Sequence, residues 1–253
     1  MNNECDVFKS RLTAKEPMVG TFMKTPSPII GEILAMTSLD VICIDAEHSP
    51  FGRLETDHCI AALRAAGKPS LVRISNDSPA EIRNALDCGS TGILVPHVTS
   101  AEQARAIVRA AHFGDGGRGY AGSTRAAGYT TKPMPDHLAD SSAQTTVVLQ
   151  IEDIVALDRV TEIAAVDGVD CLFVGRIDLA VAMGKSPMDA EVIDCVGKIC
   201  ADAQKAGAAV GMFTPDLDEL PGWQKQGASL FLLGSEHNMI LSGASALTNR
   251  LAR

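Results

Sequence analysis

Apolar residues in this chain come in short, dense blocks. Eight runs rich in Val, Ile and Leu fall at residues 18–24, 40–44, 70–74, 92–98, 145–151, 169–174, 208–213 and 230–233. A run without polar alternation is a strand covered on both faces, as parallel strands sandwiched by helices are. Between the runs lie stretches with helical spacing, at residues 28–37, 54–66, 79–88, 101–111, 155–165, 190–206, 216–226 and 237–251. Two of them carry explicit start signals. Ser78-Pro79-Ala80-Glu81 combines an N-cap serine, proline at the first helical position and glutamate at the third, and Ser100-Ala101-Glu102-Gln103 repeats the arrangement with glutamine. Glycines at 67, 89, 168, 207 and 227 stand near helix ends or early in the return loops, where C-terminal caps are found.

Eight strand–helix units in 253 residues predict a single-domain (β/α)8 TIM barrel, residues 1–253. An open doubly wound sheet is the alternative, but no Gly-x-Gly-x-x-Gly follows the first strand. The one irregular stretch is 113–142, rich in glycine and punctuated by Pro133 and Pro135. Long insertions in compact folds are functional or disordered, and Arg118 and Arg125 favour function here.

Composition narrows the partners. The net charge of −9 argues against a nucleic-acid surface, which needs a basic face. It leaves room for a small anionic substrate held by a few local arginines. The first 17 residues are polar with no apolar core of a secretory signal, and no run approaches a membrane span. Seven cysteines lack any C-x-x-C spacing, which reads as a reduced, cytoplasmic protein.

In a parallel α/β barrel the C-terminal strand ends share one rim, and chemistry sits there. Strand two delivers Asp45, Glu47 and His48; strand three Arg73; strand five Gln150 and Glu152; strand six Gly175, Arg176 and Asp178. Glu152 and Asp178, on adjacent strands, suit a hard divalent cation, because Mg²⁺ takes one or two protein carboxylates and leaves positions for substrate oxygens. His48, with Asp45 and Glu47 beside it, is a candidate general base. Arg73 is a fixed cation for a developing oxyanion or a substrate carboxylate. No Schiff-base lysine stands among these rim positions, which weighs against covalent catalysis. His97 and His237 are left without a role.

Ile44-Asp45-Ala46-Glu47-His48-Ser49-Pro50, Val72-Arg73-Ile74, Gly92-Ile93-Leu94-Val95-Pro96, Arg118-Gly119, Gln150-Ile151-Glu152 and Phe173-Val174-Gly175-Arg176-Ile177-Asp178-Leu179 resemble, in order and spacing, the HpcH/HpaI aldolases. The resemblance implies metal-dependent cleavage of a 4-hydroxy-2-oxo acid to pyruvate and an aldehyde. It implies Mg²⁺, Mn²⁺ or Co²⁺ on Glu152 and Asp178, Arg73 on the keto oxygen, and His48 as base. It further implies that Asp87 pairs with His48 of an adjacent subunit, that backbone around Gly175 and Ile177 holds the pyruvate carboxylate, and that Gln150 and Arg125 contact substrate. The expected assembly is a homo-hexamer, a trimer of dimers exchanging the last helix. The chain carries Arg176 where the family often has proline in Gly-Pro-x-Asp-Leu-Ser. Alternative activities are a keto-deoxy sugar-acid aldolase, a malyl- or citramalyl-CoA-type lyase, and, least favoured, a non-catalytic barrel.

Overall fold

The computed structural model describes residues 4–251, so the extreme ends of the predicted 1–253 unit lie outside the described residues. Eight parallel strands close in the order β1 to β8: Met18–Met23, Val41–Asp45, Ser70–Arg73, Gly92–Val95, Thr146–Ile151, Cys171–Val174, Ala209–Phe213 and Leu230–Ser235. Each lies within or within two residues of an apolar run read from the sequence, and the closed (β/α)8 barrel is the fold expected. β1 pairs with β8 to complete the ring. The closure brings backbones close at Gly20, where a Cβ would lie 2.5 Å from the Val41 carbonyl oxygen.

The unbroken apolar character of the strands has a direct cause. Alternate residues point in opposite directions, and both directions are dry. Val41 and Cys43 face the barrel interior, with Leu71, Leu94, Val148 and Leu232. Ile42 and Ile44 face outward into a second cluster made with Cys59, Ile60 and Leu63 of the surrounding helix layer.

Eleven α-helices are found among the described residues: α1 Glu4–Thr13, α2 Pro28–Ala35, α3 Arg53–Ala65, α4 Pro79–Asp87, α5 Ala101–Ala111, α6 Met134–Gln144, α7 Val160–Ala164, α8 Arg176–Ala182, α9 Ala190–Lys205, α10 Leu220–Lys225 and α11 Glu236–Asn249. The predicted caps form: Ser78 Oγ accepts the Glu81 amide at 3.4 Å and Ser100 Oγ the Gln103 amide at 3.1 Å. Gly89, at φ +94°, ends the α4 turn in a conformation that favours glycine.

Five elements differ from the sequence expectation. The polar start contains α1, whose only buried residues, Phe8 and Leu12, lie one turn apart and join the interior cluster. They stopper the N-terminal end of the barrel, each contributing about 1.5–3 kcal/mol by burial. The irregular stretch contains α6. The predicted helices at 155–165 and 216–226 both begin as 3-10 turns, Ile154–Ala156 and Leu217–Glu219. A short helix, α8, follows β6 directly and carries Asp178 in its first turn.

Candidate active site

β2 and β3 end side by side, with Asp45 in register with Arg73. Arg73 Nε donates to Asp45 Oδ1 at 2.9 Å and Nη2 lies 2.8 Å from Oδ2, a two-pronged pairing. Lys24 Nζ sits 2.8 Å from the same Oδ2, and the His48 amide donates to Oδ1 at 3.1 Å. Asp45 is fully buried. Burial alone would push its pKa up, but the hydrogen bonds and charge of Arg73, with Lys24 and the His48 amide, hold it down at about 2. The carboxylate therefore does two structural jobs. It aims the guanidinium, and it pins the turn that presents His48. Arg73 also lies 4.5 Å above the Phe22 ring and 3.3 Å from Glu47 Oε2. Burial opposes its charge, but Asp45 more than compensates and its pKa is raised. His48 stands exposed, with Nε2 3.6 Å from Glu47 Oε2.

Across the rim, Gln150 near the end of β5 donates through Nε2 to Glu152 Oε2, and the His97 amide donates to Oε1 at 2.9 Å. Glu152 is 4% exposed. Burial pushes its pKa up, and the nearby charge of Asp178 adds to that. Gly175 makes the close approach possible: a Cβ there would lie 2.6 Å from Glu152 Cβ and 2.8 Å from Oε2.

The donor set fits a hard divalent cation. Glu152 and the exposed Asp178 could supply two oxygen ligands, and a cation would relieve their mutual repulsion. Gln150 Oε1 and Glu47 Oε2 are buried nearby without hydrogen-bond partners. Among the described residues no group of three or more His, Cys, Asp or Glu is gathered as a metal cage.

These residues surround a cleft of about 270 Å³ lined by Lys24, His48, Arg73, Gln150, Gly175 and Asp178, with Ile177 at its edge. Phe22, Phe173 and Phe213 form its apolar wall; Phe22 packs on the other two with ring centroids 6.4 and 6.0 Å apart.

Two polar residues at the rim were given no role by the sequence. Lys24 follows β1 and enters the cleft, correcting the view that no rim lysine exists; its contact with Asp45 makes it a counter-ion rather than a free amine. Its position at the end of the first apolar run was a usable signal. His97 has a positive φ of 55°. Its Nδ1 is 3.0 Å from Asp153 Oδ2 and its Nε2 3.7 Å from Glu47 Oε1. Partial burial lowers its pKa, but the Asp153 hydrogen bond and neighbouring carboxylates win and raise it.

Two sequence candidates, Arg125 and Asp87, lie elsewhere, whereas Arg176, which stands in place of the family proline, is buried and borders the cleft. Its Nη1 is 2.7 Å from Glu219 Oε2 and its guanidinium lies 5.7 Å from the Trp223 ring centroid, so it ties α8 to α10. Arg125 Nη2 is 2.6 Å from Asp57 Oδ2. Asp87 ends α4, where burial raises its pKa against the charges of Arg118, Arg83 and Arg53. Neither Arg125 nor Asp87 lines the cleft of its own chain.

Fold and rim together define a (β/α)8 barrel with charged side chains gathered at its C-terminal strand ends, where barrel enzymes carry their chemistry. Residues 18–242 match the model of the HpcH/HpaI aldolase/citrate lyase family, and the chain belongs to that family. It is a carbon–carbon lyase of the aldolase type. It is 35% identical over 226 residues, 86% of each chain, to a hydroxypyruvate/pyruvate aldolase of Paraburkholderia phytofirmans. It is 32% identical over 254 residues, 98% of each chain, to a 5-keto-4-deoxy-D-glucarate aldolase of Salmonella arizonae. The crystal structure of an HpcH/HpaI aldolase/citrate lyase family protein from Burkholderia cenocepacia superposes with a TM-score of 0.92 at 31% identity, covering 98% of this chain and 100% of that one. Among the described residues no helix is long and apolar enough to cross a membrane.

Proposed function

We propose that the enzyme catalyses reversible, metal-dependent cleavage of a 4-hydroxy-2-oxo acid to pyruvate and an aldehyde. The observation that carries this reading is a locked guanidinium, Arg73, and the Asp178 carboxylate lining one small cleft, with Glu152 tied to its lining residue Gln150. Glu152 and Asp178 would hold Mg²⁺, Mn²⁺ or Co²⁺, which when bound supplies Lewis-acid polarisation of the 2-oxo group.

The chain's own residues account for the rest. Arg73, unable to swing away from Asp45, presents positive charge where negative charge develops on the 2-oxo oxygen as the C3–C4 bond breaks. His48 takes the proton of the C4 hydroxyl, held in place by its own amide on Asp45. The Gly175–Ile177 backbone receives the substrate carboxylate and Gln150 orients Glu152. The phenylalanine wall excludes water from the reacting carbons. In a homo-oligomer, here proposed as a hexamer, Asp87 reaches His48 of a neighbour. The exposed Met239, Ile240, Leu241 and Leu247 of α11 support docking or exchange of that helix between subunits.

A second reading, a keto-deoxy sugar-acid aldolase, is favoured by near full-length similarity to glucarate-type aldolases and by the polar His97–Asp153 edge of the rim. It uses the same residues and differs in the acceptor. The test is pyruvate release from 4-hydroxy-2-oxo acids of both kinds, after EDTA and after restoring each metal. Metal-restored cleavage that fails in Glu152→Gln supports the proposal; cleavage indifferent to metal refutes it.

A further inference from the structure

The opposite end of the barrel holds a buried cation without a counter-ion. Arg118, in the stretch between α5 and α6, is 6% exposed. Its Nη2 donates to Ser141 Oγ at 3.1 Å and its guanidinium lies 4.0 Å from the Phe113 ring centroid, while Nε is buried with no partner. Among the described residues no carboxylate lies within ion-pairing distance of it. Burial pushes its pKa down, and only the more distant charge of Asp87 acts the other way. Isolating a charge in this way is costly unless something of opposite sign joins it.

Space for that partner is present. Arg118 lines a cavity of about 70 Å³ together with Arg64, Lys132, His137, Ser141 and Thr145. The volume is that of about two waters, enough for one small polyatomic ion. Lys132 is answered by Asp140, the single carboxylate in the lining. Arg64, exposed at the mouth of the cavity, donates to the Gly89 carbonyl at 3.4 Å. The buried Arg118 guanidinium therefore faces the cavity without a carboxylate partner, with hydroxyls of Ser141 and Thr145 beside it. A planar fork of N–H donors matches the geometry of an oxyanion. Thr91 and Thr145, which also line it, immediately precede β4 and β5, so the cavity lies at the far end of the barrel from the aldolase cleft.

We propose that this cavity is a binding site for one small oxyanion per chain, with Arg118 as its principal ligand. The occupant is inorganic phosphate or sulfate, or the carboxylate of a small acid such as pyruvate. Bound there it joins α1, α3, α6 and the Arg118 stretch, and it borders Leu86 and Gly89 on either side of Asp87.

Equilibrium dialysis of radiolabelled inorganic phosphate against the full-length enzyme, in chloride buffer of matched ionic strength, tests this. The expected result is one saturable site per chain, weakened at least about tenfold by Arg118→Met, since charge-assisted hydrogen bonds of this strength are lost. Ser141→Ala weakens it less, and Arg73→Lys in the rim cleft leaves it unchanged. Arg118→Met removes an isolated buried charge and is expected to fold; Ser141→Ala serves if it does not. Competition by sulfate alone assigns a tetrahedral inorganic ion, and competition by pyruvate assigns a carboxylate. Absence of saturable binding up to ~10 mM phosphate, an affinity weaker than about −3 kcal/mol, overturns the proposal. So does binding that survives both cavity substitutions or vanishes with Arg73→Lys.

Discussion

Replacing Asp45 with asparagine keeps the shape of the side chain and removes only its charge, which isolates the electrostatic role of the rim. Three positive or donor groups converge on that carboxylate: the Arg73 fork at 2.9 and 2.8 Å, Lys24 at 2.8 Å and the His48 amide at 3.1 Å. Its pKa falls from an ordinary 3.8 to about 2, and holding a carboxylate that far down corresponds to about 2 kcal/mol of stability. Asp45→Asn also leaves Arg73 and Lys24 facing each other with only Glu47 to neutralise them, so the total loss is expected near 3 kcal/mol. For a chain of this size that lowers Tm by ~6–12 °C.

The sign of the pH dependence follows from the depressed pKa. The contribution is fully present above about pH 4 and disappears as pH falls toward 2. The stability gap between parent and variant must therefore narrow on acidification. Urea unfolding at fixed protein concentration, at pH 7.5 and at steps down from pH 4, measures it. A double-mutant cycle with Lys24→Met should return a coupling of about 1–3 kcal/mol. Catalytically, a guanidinium no longer held in place should cost about 10²-fold in kcat with a smaller change in KM. A Tm within ~2 °C of the parent, or a gap that stays constant with pH, would refute the account of Asp45 as the charge that organises the rim.

Other substitutions probe the remaining parts of the site. Gly175→Ala forces a methyl into Glu152 and is expected to cost about 1–3 kcal/mol, with weaker metal affinity measured by titration calorimetry. Arg73→Lys retains charge but loses the fork, and its kcat is expected to fall about 10²–10³-fold at saturating metal, read in a coupled pyruvate assay. In EDTA, Glu152→Gln should melt above the parent because it removes a buried charge that burial disfavours, while calorimetry shows loss of divalent-cation binding. Removing α1 by truncation before residue 15 uncovers the barrel floor around Met18 and Leu94. About 3–6 kcal/mol of burial from Phe8 and Leu12 is lost, and a drop in the denaturation midpoint reports it.

Much of this molecule is legible along the chain. The strands announce themselves because parallel strands bury both faces, so Val41 to Ile44 is apolar without a break. The rim chemistry is legible for a related reason: parallel topology sends every C-terminal strand end to one side, and Asp45, Arg73, Glu152 and Asp178 each stand within about a turn of such an end. Caps at Ser78 and Ser100 are local events and were equally readable. Phe8 and Leu12 are different. Two apolar residues in a polar segment carry little weight until the barrel floor they fill exists.

Tertiary structure decided which groups meet. Local pattern encodes burial and element type, but a contact between residues far apart in sequence depends on how the ring closes. Arg125 was expected at the substrate from resemblance, yet packing gives it to Asp57, and Arg176, left without a role by the sequence, is tied to Glu219 at the edge of the cleft. Lys24 and His97 acquire their carboxylate partners only because β1 lies beside β2 and β4 beside β5. The isolation of Arg118 is likewise invisible in one dimension, since a charge lacks a partner only with respect to everything folded around it.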